Sequence, residues 1–226
     1  MPRISVKKTS LFILEWGAGK AEWSWYVYKG MQESGRFILI DRKSFKNKFD
    51  KYLKQAEFQR LKVDIRDLIL ENVSLAQGHP IINYSKHLCG RATDLTLTCL
   101  KEYQANGGFI EGIYIALCCH QLCCFEDYVN KPLVQQWGLT SSEFDQMCKL
   151  TSWAVNGKRS HMDEATFEKR REIGLKCKKL IDYGRMKFMK EELKMSHVDR
   201  VYYVASEVSL ENVLLMGKNC NLCCNL

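Results

Sequence analysis

Short apolar runs separated by mixed polar stretches recur along the first half of the chain. Runs of this length are typical of strands buried inside a sheet, and the stretches between them carry helical patterns. We predict strands at residues 11–14, 36–41, 60–65, 81–84 and 109–118, and helices at 21–34, 43–57 and 92–103. Strands that alternate with helices form βαβ units, whose right-handed crossovers bring the loops after the strands to one edge of the sheet. The pattern therefore predicts an α/β, Rossmann-like fold with a mostly parallel sheet and helices on both faces.

The second half of the chain has a different pattern. Residues 141–155 and 163–193 have the pattern of helices, the longer one interrupted at Gly174 or Gly184, and residues 200–208 and 210–216 that of closing strands. No internal repeat, low-complexity tract or proline-rich linker marks a boundary. We therefore predict a single domain over residues 1–226, with a helical elaboration at about 124–195 packed on the sheet.

Composition narrows the class of protein. Of the 226 residues, 46% are hydrophobic and 27% are charged, which disfavours disorder. The formal net charge of +8 permits a polyanionic partner such as RNA without requiring one. The 11 cysteines lie in apolar runs or adjacent pairs, unlike a disulfide scaffold, and no apolar run approaches the ~20 residues of a membrane span. We predict an intracellular protein, cytoplasmic or nuclear, with mostly free thiols and no membrane partner; its oligomeric state stays open.

A glycine turn follows the first predicted strand. Gly17, Ala18 and Gly19 allow a tight turn and let backbone amides approach a ligand closely. Asp41 ends the next strand about 20 residues later, where ribose hydroxyls are usually bound. In dinucleotide-binding turns a third glycine follows three positions after the second, but Glu22 occupies that place here, and its charge disfavours a pyrophosphate. The turn therefore favours a nucleoside cofactor without phosphates, and a purely structural turn remains the alternative.

S-adenosylmethionine is a cofactor of this kind. Its ribose suits Asp41, its adenine suits the loop of Asp64 and Ile65, and its cationic sulfonium and amino group suit Glu15. The sequence therefore predicts a methyl-donor site at the ends of the first three strands.

Two further strand ends carry lysine, cysteine and histidine together. Ser-Lys-His-Leu-Cys-Gly at residues 85–90 follows the fourth strand, and Ile-Ala-Leu-Cys-Cys-His at residues 115–120 closes the fifth. Ligands in open α/β sheets bind outside the carboxyl ends of the strands. We therefore expect His87 and Cys89 beside the cofactor.

These motifs resemble one family, the eukaryotic tRNA 2′-O-ribose methyltransferases that modify nucleotide four of the acceptor stem. The resemblance runs from about residue 11 to about residue 216, and it includes residues 14–20, 86–90, 92–95, 115–120, 151–154, 180–185 and 208–215. It implies a class I methyltransferase fold that binds S-adenosylmethionine, releases S-adenosylhomocysteine and methylates a ribose in the acceptor stem of tRNA. Family members look longer, with Cys/His zinc modules ahead of the catalytic domain, and a family glycine is Ala21 here.

Ribose methylation needs the 2′-hydroxyl to be held in line with the methyl group and to lose its proton. Histidine side chains commonly act as general bases near neutral pH, so His120 is our candidate general base. Lys86 is the candidate contact to the hydroxyl or a phosphate. The alternative for both residues, and for His87, is an ordinary hydrogen bond to a loop carbonyl.

Basic and cysteine-rich clusters remain. The candidate RNA contacts are Lys158, Arg159, Lys178 and Arg185, although most charge runs are solvated faces. The cysteines near His120 suggest zinc, but Cys118 and Cys119 are neighbours at a strand end and should point to opposite faces. We therefore expect no metal, and expect these thiols to pack as small apolar groups.

Two other functions fit the same residues. A small-molecule or protein methyltransferase of the same fold would share the cofactor site, and a catalytically silent binding subunit would keep only the fold. Calorimetric titration with S-adenosylmethionine would separate an active protein from a silent one. An enzyme that uses a nicotinamide dinucleotide is disfavoured by Glu22.

Overall fold

The computed structural model describes residues 11–46, 48–157 and 160–219. Seven strands form one mixed sheet: β1 (Phe12–Trp16), β2 (Arg36–Asp41), β3 (Glu57–Lys62), β4 (Pro80–Ser85), β5 (Phe109–Leu117), β6 (His197–Tyr202) and β7 (Val213–Lys218). Their order is β3-β2-β1-β4-β5-β7-β6. The strands β1 to β5 are parallel, whereas β7 is antiparallel to both of its neighbours. The predicted α/β fold with a mostly parallel sheet is confirmed.

The described residues form five α-helices: α1 (Glu22–Gly30), α2 (Arg91–Ala105), α3 (Lys131–Gln136), α4 (Ser141–Leu150) and α5 (Glu164–Glu191). Short 3₁₀ turns occupy Phe49–Tyr52, Ile65–Asp67, Leu70–Asn72, Ser74–Ala76, His120–Leu122 and Thr151–Ala154. Local sequence sets the helix starts, because the side chains of Thr140 and Asp163 accept hydrogen bonds from the first free amides of α4 and α5. None of the helices in the described part of the chain is long and apolar enough to cross a membrane.

Alternation along the inner strands divides the core between the two faces of the sheet. In β1, Phe12 and Leu14 belong to the cluster that includes Leu97 of α2, whereas Ile13 belongs to the cluster that includes Tyr28 of α1. Side chains of successive strand residues point to opposite faces, so a strand that is apolar throughout needs cover on both. The apolar strand runs therefore require helices on both faces, as the sequence predicts.

The predicted helix at residues 43–57 is wrong. The described residues of this stretch form only the 3₁₀ turn Phe49–Tyr52, and β3 begins at Glu57, where the chain pairs with Arg36 of β2. The lysines spaced along this stretch repel one another in a helix. Instead, the chain buries Leu53 in the apolar cluster that includes Tyr28 of α1. The other predicted strands and helices of the first half are confirmed with ends that differ by at most four residues.

In the second half, α5 is continuous, although interruption at Gly174 or Gly184 was expected. Both glycines are places of close approach rather than breaks. A Cβ at Gly174 would lie 2.5 Å from the backbone nitrogen of Ala154, and a Cβ at Gly184 would overlap the hydroxyl of Tyr128. The closing strands also differ in position from the prediction. β6 ends at Tyr202, whereas the predicted strand ends at Val208.

We expect Gly184→Ala to lower the free energy of unfolding by roughly 1–3 kcal/mol, because the added methyl overpacks the contact with Tyr128. Tyr128 cannot move aside freely, since its hydroxyl donates a hydrogen bond to the carbonyl of Ile181 at 2.8 Å. Adding Tyr128→Phe to Gly184→Ala removes the overlapping oxygen. The double variant should recover part of the lost free energy of unfolding. Gly30→Ala is the control, since no atom lies within 4 Å of a Cβ there. Equal urea unfolding curves for Gly184→Ala and Gly30→Ala would contradict the packing argument.

Candidate functional site

A cavity of about 500 Å³ lies at the carboxyl ends of β1, β2 and β4 and beside the loop that follows β3. Six residues that the sequence singles out line it: Gly17, Asp41, Asp64, Ile65, His87 and Cys89. The volume falls in the range of about 300–1,000 Å³ that is usual for small-molecule sites. The parallel strands therefore bring these four chain segments together, as their placement at one sheet edge requires.

The glycine turn is built by left-handed backbone. Gly17 and Gly19 have φ values of +66° and +51°, which glycine adopts without a Cβ penalty. The turn is fixed to β2, because the amide of Ala18 donates to the carbonyl of Ile40 at 2.9 Å. Of the turn residues, Gly17 faces the cavity, while Ala18 is buried and neither it nor Gly19 lines the wall.

Asp41 is held by backbone amides on both sides. Its Oδ2 accepts a hydrogen bond from the Gly19 amide at 2.9 Å, and its Oδ1 accepts one from the Lys43 amide at 2.8 Å. Each carboxylate oxygen has further lone pairs. An oriented carboxylate in the wall of a nucleoside-sized cavity can accept hydrogen bonds from vicinal hydroxyls.

Glu15 lies elsewhere than predicted. The carboxylate is buried below the turn and does not line the cavity; it accepts hydrogen bonds from the Ser24 amide at 3.2 Å, the Ser24 hydroxyl at 2.5 Å and the Tyr84 hydroxyl at 3.3 Å. Burial raises the pKa of Glu15 to about 7, against the opposing effect of these hydrogen bonds. In this structure Glu15 therefore joins α1 to the sheet rather than facing a cationic ligand.

Lys86 stands at the end of β4 outside the cavity wall. Its side chain is exposed, and its Nζ lies 5.1 Å from the ring centroid of Trp23, itself 42% exposed. This distance is within the range of a cation–π contact. Lys86 is thus accessible to a large ligand that covers this surface.

His120 is inside the protein. The side chain is 1% exposed, and its Nε2 lies 2.6 Å from Oδ1 of Asp182, whose Oδ2 accepts a hydrogen bond from Arg200 at 3.0 Å. His120 Nδ1 has no hydrogen-bond partner among the described atoms. Although burial opposes it, His120 and Arg185 hold the pKa of Asp182 below its ordinary value. His120 is buried against Asp182 and does not line the cavity, so this structure does not present the ring to a substrate as the predicted general base requires.

The predicted RNA contacts Lys178 and Arg185 are also buried, at 3% and 1% exposure. Arg185 donates to Asp94 at 2.6 Å and to the carbonyl of Gly90 at 3.1 Å, while Lys178 pairs with Glu211. Neither side chain can contact RNA from these positions, since each is buried and paired with a carboxylate of the protein. The other two, Lys158 and Arg159, lie outside the described residues.

Sequence reasoning missed the basic rim of the cavity. Arg42, Arg66 and Arg91 line it, together with Leu95 and Leu122. Arg66 and Arg91 both pair with Asp127, and Arg66 does so at 2.9 Å. Their positions offer a signal that could have found them, because each directly follows or adjoins a strand-end residue already singled out. Arg42 lies 4.0 Å from Asp64 and Arg91 lies 3.8 Å from Glu126, so all three guanidinium groups are paired with carboxylates at the rim.

Three thiols meet at the edge of this cavity. The Sγ atoms of Cys89, Cys118 and Cys119 lie within 4.8 Å of one another, and the first two are 3.2 Å apart. The expectation that neighbouring Cys118 and Cys119 point apart is wrong, because β5 ends at Leu117 and Cys119 has a left-handed φ of +50°. A hydrogen bond from Cys118 lowers the pKa of Cys89 to about 6. All eight cysteines that the structure describes are free thiols.

Comparison with known proteins gives a consistent match. The family model described as methyltransferase TRM13 matches residues 2–218. The chain is 37% identical over 228 residues to the tRNA:m(4)X modification enzyme TRM13 of Schizosaccharomyces pombe, which covers 90% of this chain and 60% of the relative. It is 31% identical over 275 residues to the enzyme of that name from Saccharomyces cerevisiae (92% and 58%) and 30% identical over 283 residues to the Mus musculus homolog (89% and 58%). The chain thus spans less than two thirds of the length of these curated relatives.

Proposed function

Because the chain belongs to the methyltransferase TRM13 family, we propose that it transfers the methyl group of S-adenosylmethionine to a ribose 2′-hydroxyl in the acceptor stem of tRNA. Membership of a methyltransferase family implies a methyl donor, and the relatives' names state that they modify tRNA. The choice of ribose and of acceptor stem rests on the motif resemblance described above.

The observation that carries the proposal is the position of the cavity in the sheet. The order β3-β2-β1-β4-β5 reverses direction between β1 and β4, and open α/β sheets bind ligands at the carboxyl ends of strands beside such a reversal. The cavity opens at this point and contains Gly17 and the oriented Asp41. We therefore assign the sheet to the class I methyltransferase fold.

The donor site follows from the cavity wall. Asp41 would hold the ribose hydroxyls of the donor, Asp64 and Ile65 would flank its adenine, and His87 and Cys89 would close the remaining wall. When bound, S-adenosylmethionine supplies an electrophilic methyl group. The chain's own groups bind and orient it, and positioning of this kind supplies up to about 7–11 kcal/mol of a reaction barrier.

The acceptor approaches over a basic surface in this proposal. The net charge is +8, and the arginine rim and Lys86 adjoin the cavity opening. We keep Lys86 as the contact to the hydroxyl or a phosphate, and Lys158 and Arg159 as RNA contacts. His120 becomes a positioning residue, because its contact with Asp182 fixes the loop after β5 against α5. The free thiols support an intracellular location, cytoplasmic or nuclear.

Product identification tests the proposed reaction. The protein is incubated with labelled S-adenosylmethionine and total tRNA, the RNA is digested to nucleosides, and the labelled product is identified. We expect a ribose-methylated nucleoside. A base-methylated nucleoside would contradict the ribose assignment, and donor binding without any incorporation into tRNA would favour a catalytically silent subunit.

The donor site makes a prediction of its own. Asp41→Asn should weaken binding of S-adenosylhomocysteine at least about tenfold, because a hydrogen bond to a charged group contributes about 1.5–3 kcal/mol. The asparagine still offers one acceptor oxygen to the turn amides, so the fold should persist. Asp67→Asn is the matched control, since this exposed carboxylate lies outside the cavity in the loop that contains Asp64. Calorimetric affinities that fall equally in both variants would remove Asp41 from the donor site.

A further inference from the structure

The two cysteine-bearing motifs converge on one point. Cys89 comes from the loop between β4 and α2, and Cys118 and Cys119 come from the end of β5. We call these residues the three-cysteine cluster. Their Sγ atoms all lie within 4.8 Å of one another. No proposed step of methyl transfer requires these three thiols to be close together.

Backbone conformation holds the cluster in place. Cys119 adopts a left-handed φ of +50°, which is uncommon for a residue with a side chain and turns its thiol back beside Cys118. The two loops also touch at Gly90, where an added Cβ would lie 2.5 Å from Cβ of Leu122 and 3.0 Å from the carbonyl of Cys119. The Gly90 amide donates to the carbonyl of Cys118 at 3.4 Å. The thiols are therefore brought together by the fold and not by chance contact of mobile side chains.

We propose that the three-cysteine cluster binds one zinc ion. Zinc–sulfur bonds of about 2.3 Å in tetrahedral geometry place coordinating sulfurs about 3.8 Å apart. Cys89 and Cys118 are 3.2 Å apart and no pair of the three sulfurs is more than 4.8 Å apart, so the separations are close to this value. Small side-chain rotations therefore suffice to form three zinc–thiolate bonds, with release of the thiol protons to solvent.

In this proposal an oxygen ligand completes the tetrahedron, either a water molecule or Glu211 after a movement of its side chain. Oε1 of Glu211 accepts a hydrogen bond from the Cys119 amide at 3.3 Å, but neither carboxylate oxygen lies within 4.8 Å of all three sulfurs. The other oxygen of Glu211 pairs with the buried Lys178. Three sulfur ligands and one oxygen ligand suit zinc, which binds both atom types.

A disulfide between Cys89 and Cys118 explains the geometry less well. It would use two of the three thiols and leave Cys119 in its left-handed conformation without a role. A metal ion uses all three sulfurs. Zinc would also tie the wall of the cavity, through Cys89, to the end of β5.

Cadmium titration of the reduced full chain tests the proposal without reference to activity. Cadmium replaces zinc in thiolate sites. Its coordination by thiolate sulfurs gives an ultraviolet charge-transfer band that reports binding. The titration is run without oxygen, after thiol counting has shown that all cysteines are reduced. Cys89→Ser, Cys118→Ser and Cys119→Ser are compared with Cys124→Ser, a thiol of the same region that lies outside the cluster. A further variant replaces Cys220, Cys223 and Cys224 by serine, which removes the cysteines of the carboxyl-terminal tail.

We expect the chain without tail cysteines to bind one cadmium ion, and zinc to displace it. Cys124→Ser should leave this binding unchanged, whereas each cluster variant should weaken it at least tenfold. If buried Cys118→Ser does not fold, as circular dichroism would show, the more exposed Cys89→Ser and Cys119→Ser decide the outcome. The proposal would be overturned if those two variants bound cadmium with full affinity. It would also be overturned if replacement of the tail cysteines alone abolished cadmium binding.

Discussion

Replacing Arg185 by methionine should lower the free energy of unfolding by about 3–5 kcal/mol. The guanidinium is 1% exposed and lies between two buried carboxylates, 2.6 Å from Asp94 and 3.6 Å from Asp182. Although burial opposes it, Asp94 holds the pKa of Arg185 above its ordinary value. Methionine fills similar space but leaves Asp94 without its counter-charge inside the protein, and an uncompensated buried charge is the main cost of breaking such a pair.

Urea unfolding measures this loss, and the same helix provides the control. Lys187 pairs with Glu191 at 2.6 Å on the surface of α5, so Lys187→Met should cost no more than about 0.5 kcal/mol. The double variant Arg185→Met with Asp94→Leu should recover part of the stability, because it removes the stranded carboxylate together with its partner. The buried-pair argument fails if Arg185→Met and Lys187→Met unfold at the same urea concentration.

The second large effect depends on pH. The pKa of Glu15 is raised from 4.5 to about 7 by burial, so the folded protein binds this proton more tightly than the unfolded chain. The contribution of Glu15 to the free energy of unfolding is largest below about pH 4.5. It falls as the pH rises through about 7 and no longer changes at higher pH. The raised pKa corresponds to a total change of about 3 kcal/mol.

Glu15→Gln isolates this effect from every other titrating group. Glutamine cannot ionise, yet it keeps an acceptor for the Ser24 amide. The difference in free energy of unfolding between wild type and Glu15→Gln should therefore shift in favour of the variant by about 3 kcal/mol from acidic to weakly alkaline pH. Glu22→Gln, at an exposed position near the same turn, controls for the loss of one negative charge. A difference between wild type and Glu15→Gln that is independent of pH would contradict the assignment of a raised pKa.

The strand ends could be predicted because their signals are local. Gly17, Asp41, Asp64 and His87 each follow an apolar run, and parallel strands necessarily bring such positions to one edge of the sheet. Neither the pairing register nor the neighbours of a side chain are needed for that inference. This is why the cavity and much of its wall were predictable from the sequence.

The interior charges could not be predicted in the same way. Lysine and arginine are usually exposed and histidine is intermediate, and the burial of Lys178, Arg185 and His120 depends on carboxylates far away along the chain. Asp94 is 91 residues from Arg185, so no local pattern links the two. Cys119 shows the same limit on a smaller scale, since its left-handed backbone is set by contact with the loop at Gly90 and not by the alternation of a strand.

The outer strands of the described sheet differ in chemistry from the inner ones. β3 presents Glu57, Arg60 and Lys62, and β6 contains Asp199 and Arg200, whereas the middle of β2 is wholly apolar and β1 is apolar except for Glu15. Charged side chains on the outermost strands oppose the addition of strands from other molecules. The apolar inner strands have no such protection once they are released from their helices. Aggregation of this protein should therefore begin with unfolding of the molecule and not with stacking of intact sheets.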